Sequence, residues 1–164
     1  MVAKFKIRDI RMLVSPYSGF VNKQASLDDI AKMILANPSL KSVYVIDDKQ
    51  KLVGRVTLRN LIKHEFLNLI PSSFEYFNAL EFIGDKTAEE IMTAPVYVKD
   101  DDTLKTAFVK MYENELEELP VVDGNSHLIG NIDLLELLTI LIEKKEQKAN
   151  KKFLRLVINR PFHR

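Results

Sequence analysis

The chain carries an internal repeat. Ser26 to Leu61 and Thr103 to Leu137 align with a single-residue gap. Downstream of the gap Val45 matches Val121, Asp47 matches Asp123, Leu52 matches Leu128 and Gly54 matches Gly130. Upstream, Ser26-Leu27 matches Thr103-Leu104. Such self-similarity restricts the chain to folds made of two like units, each too small to bury its apolar face alone.

Each copy has the same physical pattern. Ser26 or Thr103 supplies a hydroxyl at a helix N-cap, and Asp29, three residues after Ser26, completes a capping-box pattern. Leu27, Ile30, Ala31 and Ile34 recur at helical spacing, as do Leu104, Ala107, Phe108 and Met111. Apolar runs follow, Val43 to Ile46 and Leu119 to Val122, short enough for strands. Asp47 to Gln50 and Asp123 to Ser126 are turn chemistry. The next strands are Leu52 to Val56 and Leu128 to Ile132, with second helices starting near Leu58 and Leu134. Short strands, Gly19 to Asn22 and Val96 to Val98, precede the first helices. The unit is β-α-β-β-α, and the fold class is α/β (α+β). Pro120 inside a strand points to an edge or a strand start.

This order of elements, with these residues, resembles the CBS domain. The second copy carries Glu90-Ile91-Met92-Thr93, Asp102-Thr103-Leu104, Leu119-Pro120-Val121-Val122-Asp123 and Leu128-Ile129-Gly130. The first carries Val45-Ile46-Asp47 and the run Leu52 to Leu61. The resemblance implies a tandem pair, a Bateman module, packed by pseudo-twofold symmetry. It also implies homodimers, and clefts between repeats that hold adenosine-containing ligands: AMP, ADP, ATP or S-adenosylmethionine. The division expected is 1–70 for the first repeat with its N-terminal lead-in, 71–86 for an apolar helical connector, 87–143 for the second repeat and 144–164 for a basic extension.

By the same resemblance, ligands are read at the start of each second helix. In the first repeat the positions are Thr57 and Asn60, for ribose and phosphate, with Arg55 and Arg59 beside them. A helix N-terminus suits a phosphate through its free N–H groups and dipole. Thr57 is equally an ordinary helix cap and the arginines equally solvated, and both readings stand. In the second repeat the positions are Asp133 and Glu136. Carboxylates repel a phosphate, so Asp133 reads as a cap and Glu136 as solvated or salt-bridged. Backbone and apolar contacts to the base would come, by the same resemblance, from the strand ends Val43, Tyr44 and Val45, and Leu119 and Pro120, all of which also read as core strand.

Other chemistry is absent from the pattern. His64, His127 and His163 lack metal-ligand spacing and read as surface residues. There is no nucleophile elbow, P-loop or dinucleotide loop. Asp100 to Asp102 reads as helix-terminus charge rather than a cation site. The expectation is a non-enzyme with no required cofactor and no metal. A net charge of +1 and no cysteines exclude a polycation and a disulfide framework, and fit a cytoplasmic protein. No stretch reaches the roughly 18 apolar residues of a membrane span.

Two segments lie outside the repeat. The connector holds Phe74, Tyr76, Phe77, Leu80, Phe82 and Ile83, too apolar for a free linker; a packed lid and a partner surface are both open. The tail carries Lys144, Lys145, Lys148, Lys151, Lys152 and Arg155 against Glu146 alone up to that point. It reads as a solvated helix face to about Asn150, then a strand over Phe153 to Ile158; a nucleic-acid contact is the less favoured alternative. The leading function is a stand-alone regulatory module that senses an adenine nucleotide and acts on a protein client in trans. A ligand-free dimerisation module and a basic-tailed nucleic-acid-binding protein are the alternatives.

Overall fold

A computed structural model describes residues 5–10, 19–65 and 86–158. Its elements follow the repeat. The first holds β1 (Phe20–Asn22), α1 (Leu27–Ala36), β2 (Ser42–Ile46), β3 (Leu52–Thr57) and α2 (Leu58–Glu65). After a short α3 (Ala88–Ile91) come β4 (Val98–Lys99), α4 (Leu104–Glu113), β5 (Glu118–Val122), β6 (Leu128–Asp133) and α5 (Leu134–Ile158). The mixed α/β class is as the sequence indicates.

Local chemistry accounts for the boundaries. Ser26 Oγ accepts Asp29 N–H at 3.1 Å, and Thr103 Oγ1 accepts Thr106 N–H at 3.1 Å, so each first helix starts on a side-chain cap. In both hairpins an aspartate organises the turn. Asp47 Oδ1 accepts Lys49 and Lys51 N–H, and Asp123 Oδ1 accepts Asn125 and His127 N–H. Gln50 and Ser126, counterparts in the alignment, take the left-handed conformation at φ 61° and 70°.

Each sheet has three strands, ordered β1-β2-β3 and β4-β5-β6, with a parallel outer pair and an antiparallel hairpin. The hairpins break register at the same place, between Val45 and Ile46 and between Val121 and Val122. Pro120 is therefore in a central strand, not at an edge or strand start. In the first repeat, its counterpart Tyr44 donates its N–H to Gly19 O at 2.9 Å. Proline has no such donor. Strand β4 accordingly opposes only Val121 and Val122. This also explains why β4 begins at Val98 and not at Val96. The segment Phe153 to Ile158 is helix, not strand. No glycine or proline interrupts Leu134 to Ile158, so the helix propagates through it.

Two cores form, and the lead-ins cross between them. Leu27, Ile30, Val43, Val45 and Val56 of the first repeat pack with Ala88 and Ile91 of α3. Leu104, Ala107, Leu119 and Ile132 of the second pack with Ile7 and Ile10, which lie on a single 3-10 turn. Leu104 N–H bonds Phe5 O at 2.9 Å and Ala88 N–H bonds Ala25 O at 2.8 Å, tying each lead-in to the other repeat's first helix. The N-terminal lead-in grouped with the first repeat by sequence thus completes the second core. The connector, up to residue 85, lies outside the described residues.

Counterpart residues meet across the interface. Lys51 bridges His127, Ser42 Oγ donates to Glu118 at 2.6 Å, and Lys41 pairs with Glu117. Each pair joins one residue to its own equivalent in the other repeat. That is the signature of a twofold relation, here approximate because the paired residues differ.

Candidate ligand clefts

Alternation along the strands sorts the expected base-contacting residues. Val43, Val45 and Leu119 have their side chains fully buried in the two cores. Tyr44 and Pro120 lie on the opposite face of their sheets. Tyr44, Ile46 and Val122 are buried yet belong to neither core. They form a third layer, between the sheets.

Buried polar atoms with unmet hydrogen bonds collect on this layer. They are the Tyr44 hydroxyl, Arg55 Nε and Asn131 Oδ1. Arg55 faces Tyr44 across the first hairpin and Asn131 faces Pro120 across the second; Arg55 and Asn131 are counterparts. Tyr44, 2% exposed, lies within reach of Ser42 and Glu118, which hydrogen-bond each other at 2.6 Å, and its hydroxyl has no geometrically aligned partner. Burial, reinforced by the Glu118 charge, pushes the Tyr44 phenol well above its ordinary value, against the opposing pull of Arg55. It is a neutral donor at all physiological pH. Native interiors seldom leave such groups unmet, and each instance needs an explanation in water, ligand or strain.

The second-helix starts differ between repeats. Thr57 Oγ1 accepts Asn60 N–H at 3.1 Å, so Thr57 caps α2 and Asn60 is held through its backbone. No acidic residue lies in the first turn of α2. Arg59 is exposed, while Arg55 is half-buried and exchanges backbone bonds with Thr93 at 3.0 and 2.9 Å. In the second repeat Asp133 Oδ1 accepts Glu136 N–H at 2.7 Å, and Glu136 Oε2 accepts Asp133 N–H at 3.0 Å. This reciprocal box engages two of the amides that an anion would need and puts two carboxylates in its path. Glu136 is half-buried and tied to the Asp133 backbone through this box.

Asn131 and Thr93 are not among the expected ligand-contacting residues, although Thr93 ends the run Glu90 to Thr93 noted in the sequence. Asn131 was within reach, since the repeat alignment sets it opposite Arg55. Thr93 was not, because only the crossing of the lead-ins brings it to Arg55. Among the described residues no group of three His, Asp or Glu side chains could hold a metal ion. Asp102 accepts Lys99 N–H at 2.9 Å beside the Thr103 cap. His64 and His127 are half-buried at the surface, with the His127 side chain 39% exposed and 3.0 Å from Asp123, and His163 lies outside the described residues.

The family model for the CBS domain matches residues 7–66 and 88–143. The chain belongs to the CBS-domain family, as a tandem pair. It resembles a CBS domain-containing protein from Thermotoga maritima, at 31% identity and a TM-score of 0.68, covering 85% of this chain and 96% of that one. It also resembles CBSX2, solved in complex with AMP, at 24% identity and a TM-score of 0.68, covering 86% of this chain and 98% of that one. Inosine-5'-monophosphate dehydrogenase of Thermoplasma acidophilum is 27% identical over 111 residues, 68% of this chain and 19% of that enzyme. The chain thus spans about a fifth of such curated relatives. Among the described residues, no helix is long and apolar enough to cross a membrane.

Proposed function

We propose that this CBS pair is a non-catalytic regulatory module. It binds an adenosine-containing ligand, AMP, ADP, ATP or S-adenosylmethionine, in the first-repeat cleft, forms a homodimer and acts on a protein client in trans. The observation that carries the reading is the set of unmet polar atoms between the sheets, Tyr44 Oη, Arg55 Nε and Asn131 Oδ1. A nucleoside offers the complementary donors and acceptors, and the sheet faces offer apolar walls for a base. Thr57, Arg55 and Arg59 at the start of α2 suit phosphate, with Asn60 on the ribose; Asp133 and Glu136 do not suit phosphate. The AMP complex of CBSX2 supports the ligand class.

The test is a thermal-shift and calorimetric titration with AMP, ADP, ATP and S-adenosylmethionine. At a ligand concentration of 100 Kd the expected stabilisation is about 2.7 kcal/mol. Thr57→Ala and Arg55→Ala should weaken binding and Asp133→Ala should not. No shift with any of the four ligands would leave a ligand-free dimerisation module as the function.

A further inference from the structure

The two repeats carry opposite charge at matched positions of their interface faces. Four counterparts read Ser42, Arg55, Thr57 and Asn60 in the first repeat, and Glu118, Asn131, Asp133 and Glu136 in the second. The first set holds a cation and no acid. The second holds three acids and no cation. Strand register brings the second set together. Glu118 is the cross-strand partner of Asp133, so both side chains leave one face of the β5-β6 hairpin. Asn131 lies two residues before Asp133 on that face, and Glu136 reaches back to the Asp133 backbone from the first turn of α5. Pro120 and Val122, both buried, keep the face apolar beside the acids.

Like charges directly opposite on a hairpin repel. Glu118 and Asp133 are both half-buried, and among the described residues neither forms an ion pair. Glu118 accepts from Ser42 Oγ at 2.6 Å, and Asp133 accepts Glu136 N–H at 2.7 Å. Neither bond brings a positive charge. The polar atoms beside them are unmet as well. Asn131 Oδ1 is a buried acceptor without a donor, and the hydroxyl of Tyr44, 2% exposed, lies within reach of Glu118 with no aligned partner. Partly buried carboxylates call for a counter-charge, and an ammonium offers three donors and no acceptor. A metal ion does not fit, because among the described residues no three acids are grouped to hold one.

We propose that the second cleft takes a nucleoside whose 5′ arm carries an ammonium group, with Asp133, Glu136 and Glu118 as its counter-charges and Asn131 as a further acceptor. The inference rests on the nucleoside reading above and extends it to a second ligand, of opposite charge to the one at Thr57 and Arg55.

Adenosine, AMP and 5′-amino-5′-deoxyadenosine differ only at the 5′ carbon, and the amine is protonated at pH 7. Calorimetry on the full-length protein should show the amine binding about tenfold or more tighter than adenosine, at a site that Thr57→Ala leaves intact and for which AMP does not compete. Salt should weaken the amine's binding. Glu118→Gln/Asp133→Asn keeps an acceptor for Ser42 and an N-cap for α5. It should bring the amine down to the level of adenosine and leave AMP binding unchanged. Without ligand this variant should melt above wild type, because the repulsion is gone. A variant that melts below wild type would mean that the carboxylates are already satisfied within the protein, and would overturn the proposal. So would an amine that binds no tighter than adenosine while AMP binds, an outcome that leaves the nucleotide reading in place. No binding of any of the three probes would overturn the nucleotide reading itself.

Discussion

Gly54 lies directly beneath Met92. A β-carbon on Gly54 would come 2.8 Å from Met92 Cγ and 2.9 Å from its Cβ, closer than packed carbons stand. The strand β3 thus has a glycine where the crossing lead-in passes over it. Gly54→Ala should lower stability by about 1–3 kcal/mol, the usual cost of overpacking. Denaturant unfolding of Gly54→Ala, Met92→Ala and the double variant should give a coupling energy of at least about 0.5 kcal/mol. Strict additivity would mean the two residues do not compete for the space.

The crossing also predicts where damage appears. Ile7 is 1% exposed within the second core. Ile7→Ala should cost about 2–5 kcal/mol, and hydrogen exchange should accelerate in β5 and β6 before β2 and β3. Faster exchange confined to the first repeat would contradict the crossed packing.

Converting the second helix start should convert the second cleft. Asp133→Thr with Glu136→Asn gives α5 the Thr57 and Asn60 chemistry of α2 and removes two carboxylates. Calorimetry with AMP should then show a second site, or a tighter weak one. Stability should change by about 1 kcal/mol or less, because threonine is still an N-cap. Unchanged stoichiometry together with unchanged affinity would show that the capping box is not what closes the cleft.

The hairpin turns make stability depend on acid. Backbone N–H groups, chiefly those of Lys51 and His127, hold the Asp47 and Asp123 carboxyls below their ordinary value. A carboxyl depressed in the folded state contributes stability that is fully present above its unfolded pKa, about 3.9, and lost as pH falls through the folded value. Asp47→Asn/Asp123→Asn should therefore melt below wild type at pH 7, with the gap closing as pH drops under about 4. A gap that stays constant from neutral to acid pH would rule out ionisation as its source.

The periodicity of Leu27, Ile30 and Ile34, the caps at Ser26 and Thr103 and the aspartate turns are local signals, and they were readable from sequence. What was not readable depends on distant partners. Pro120 is an edge residue by rule, and only a neighbour truncated to two residues makes it acceptable in a central strand. Phe153 to Ile158 has strand composition, but it continues a helix already nucleated upstream. In the candidate site, Thr57 and Asp133 could be located by counting along the repeat. That Val43, Val45 and Leu119 turn inward while Tyr44 turns to the interface follows from strand parity, which requires knowing which face is core. Glu136 needed its backbone reach to Asp133, which residue identity alone does not convey.

The exchanged lead-ins carry a consequence for ancestry. A lone repeat with its own lead-in leaves that lead-in unpaired and its core open on one side. Two separate copies of one repeat meet the same geometry by trading lead-ins, as in a domain-swapped dimer. Joining them in a single gene turns a trade between molecules into one within a molecule. On this view the smallest piece that can be inherited, transplanted or cut out intact is the laced pair.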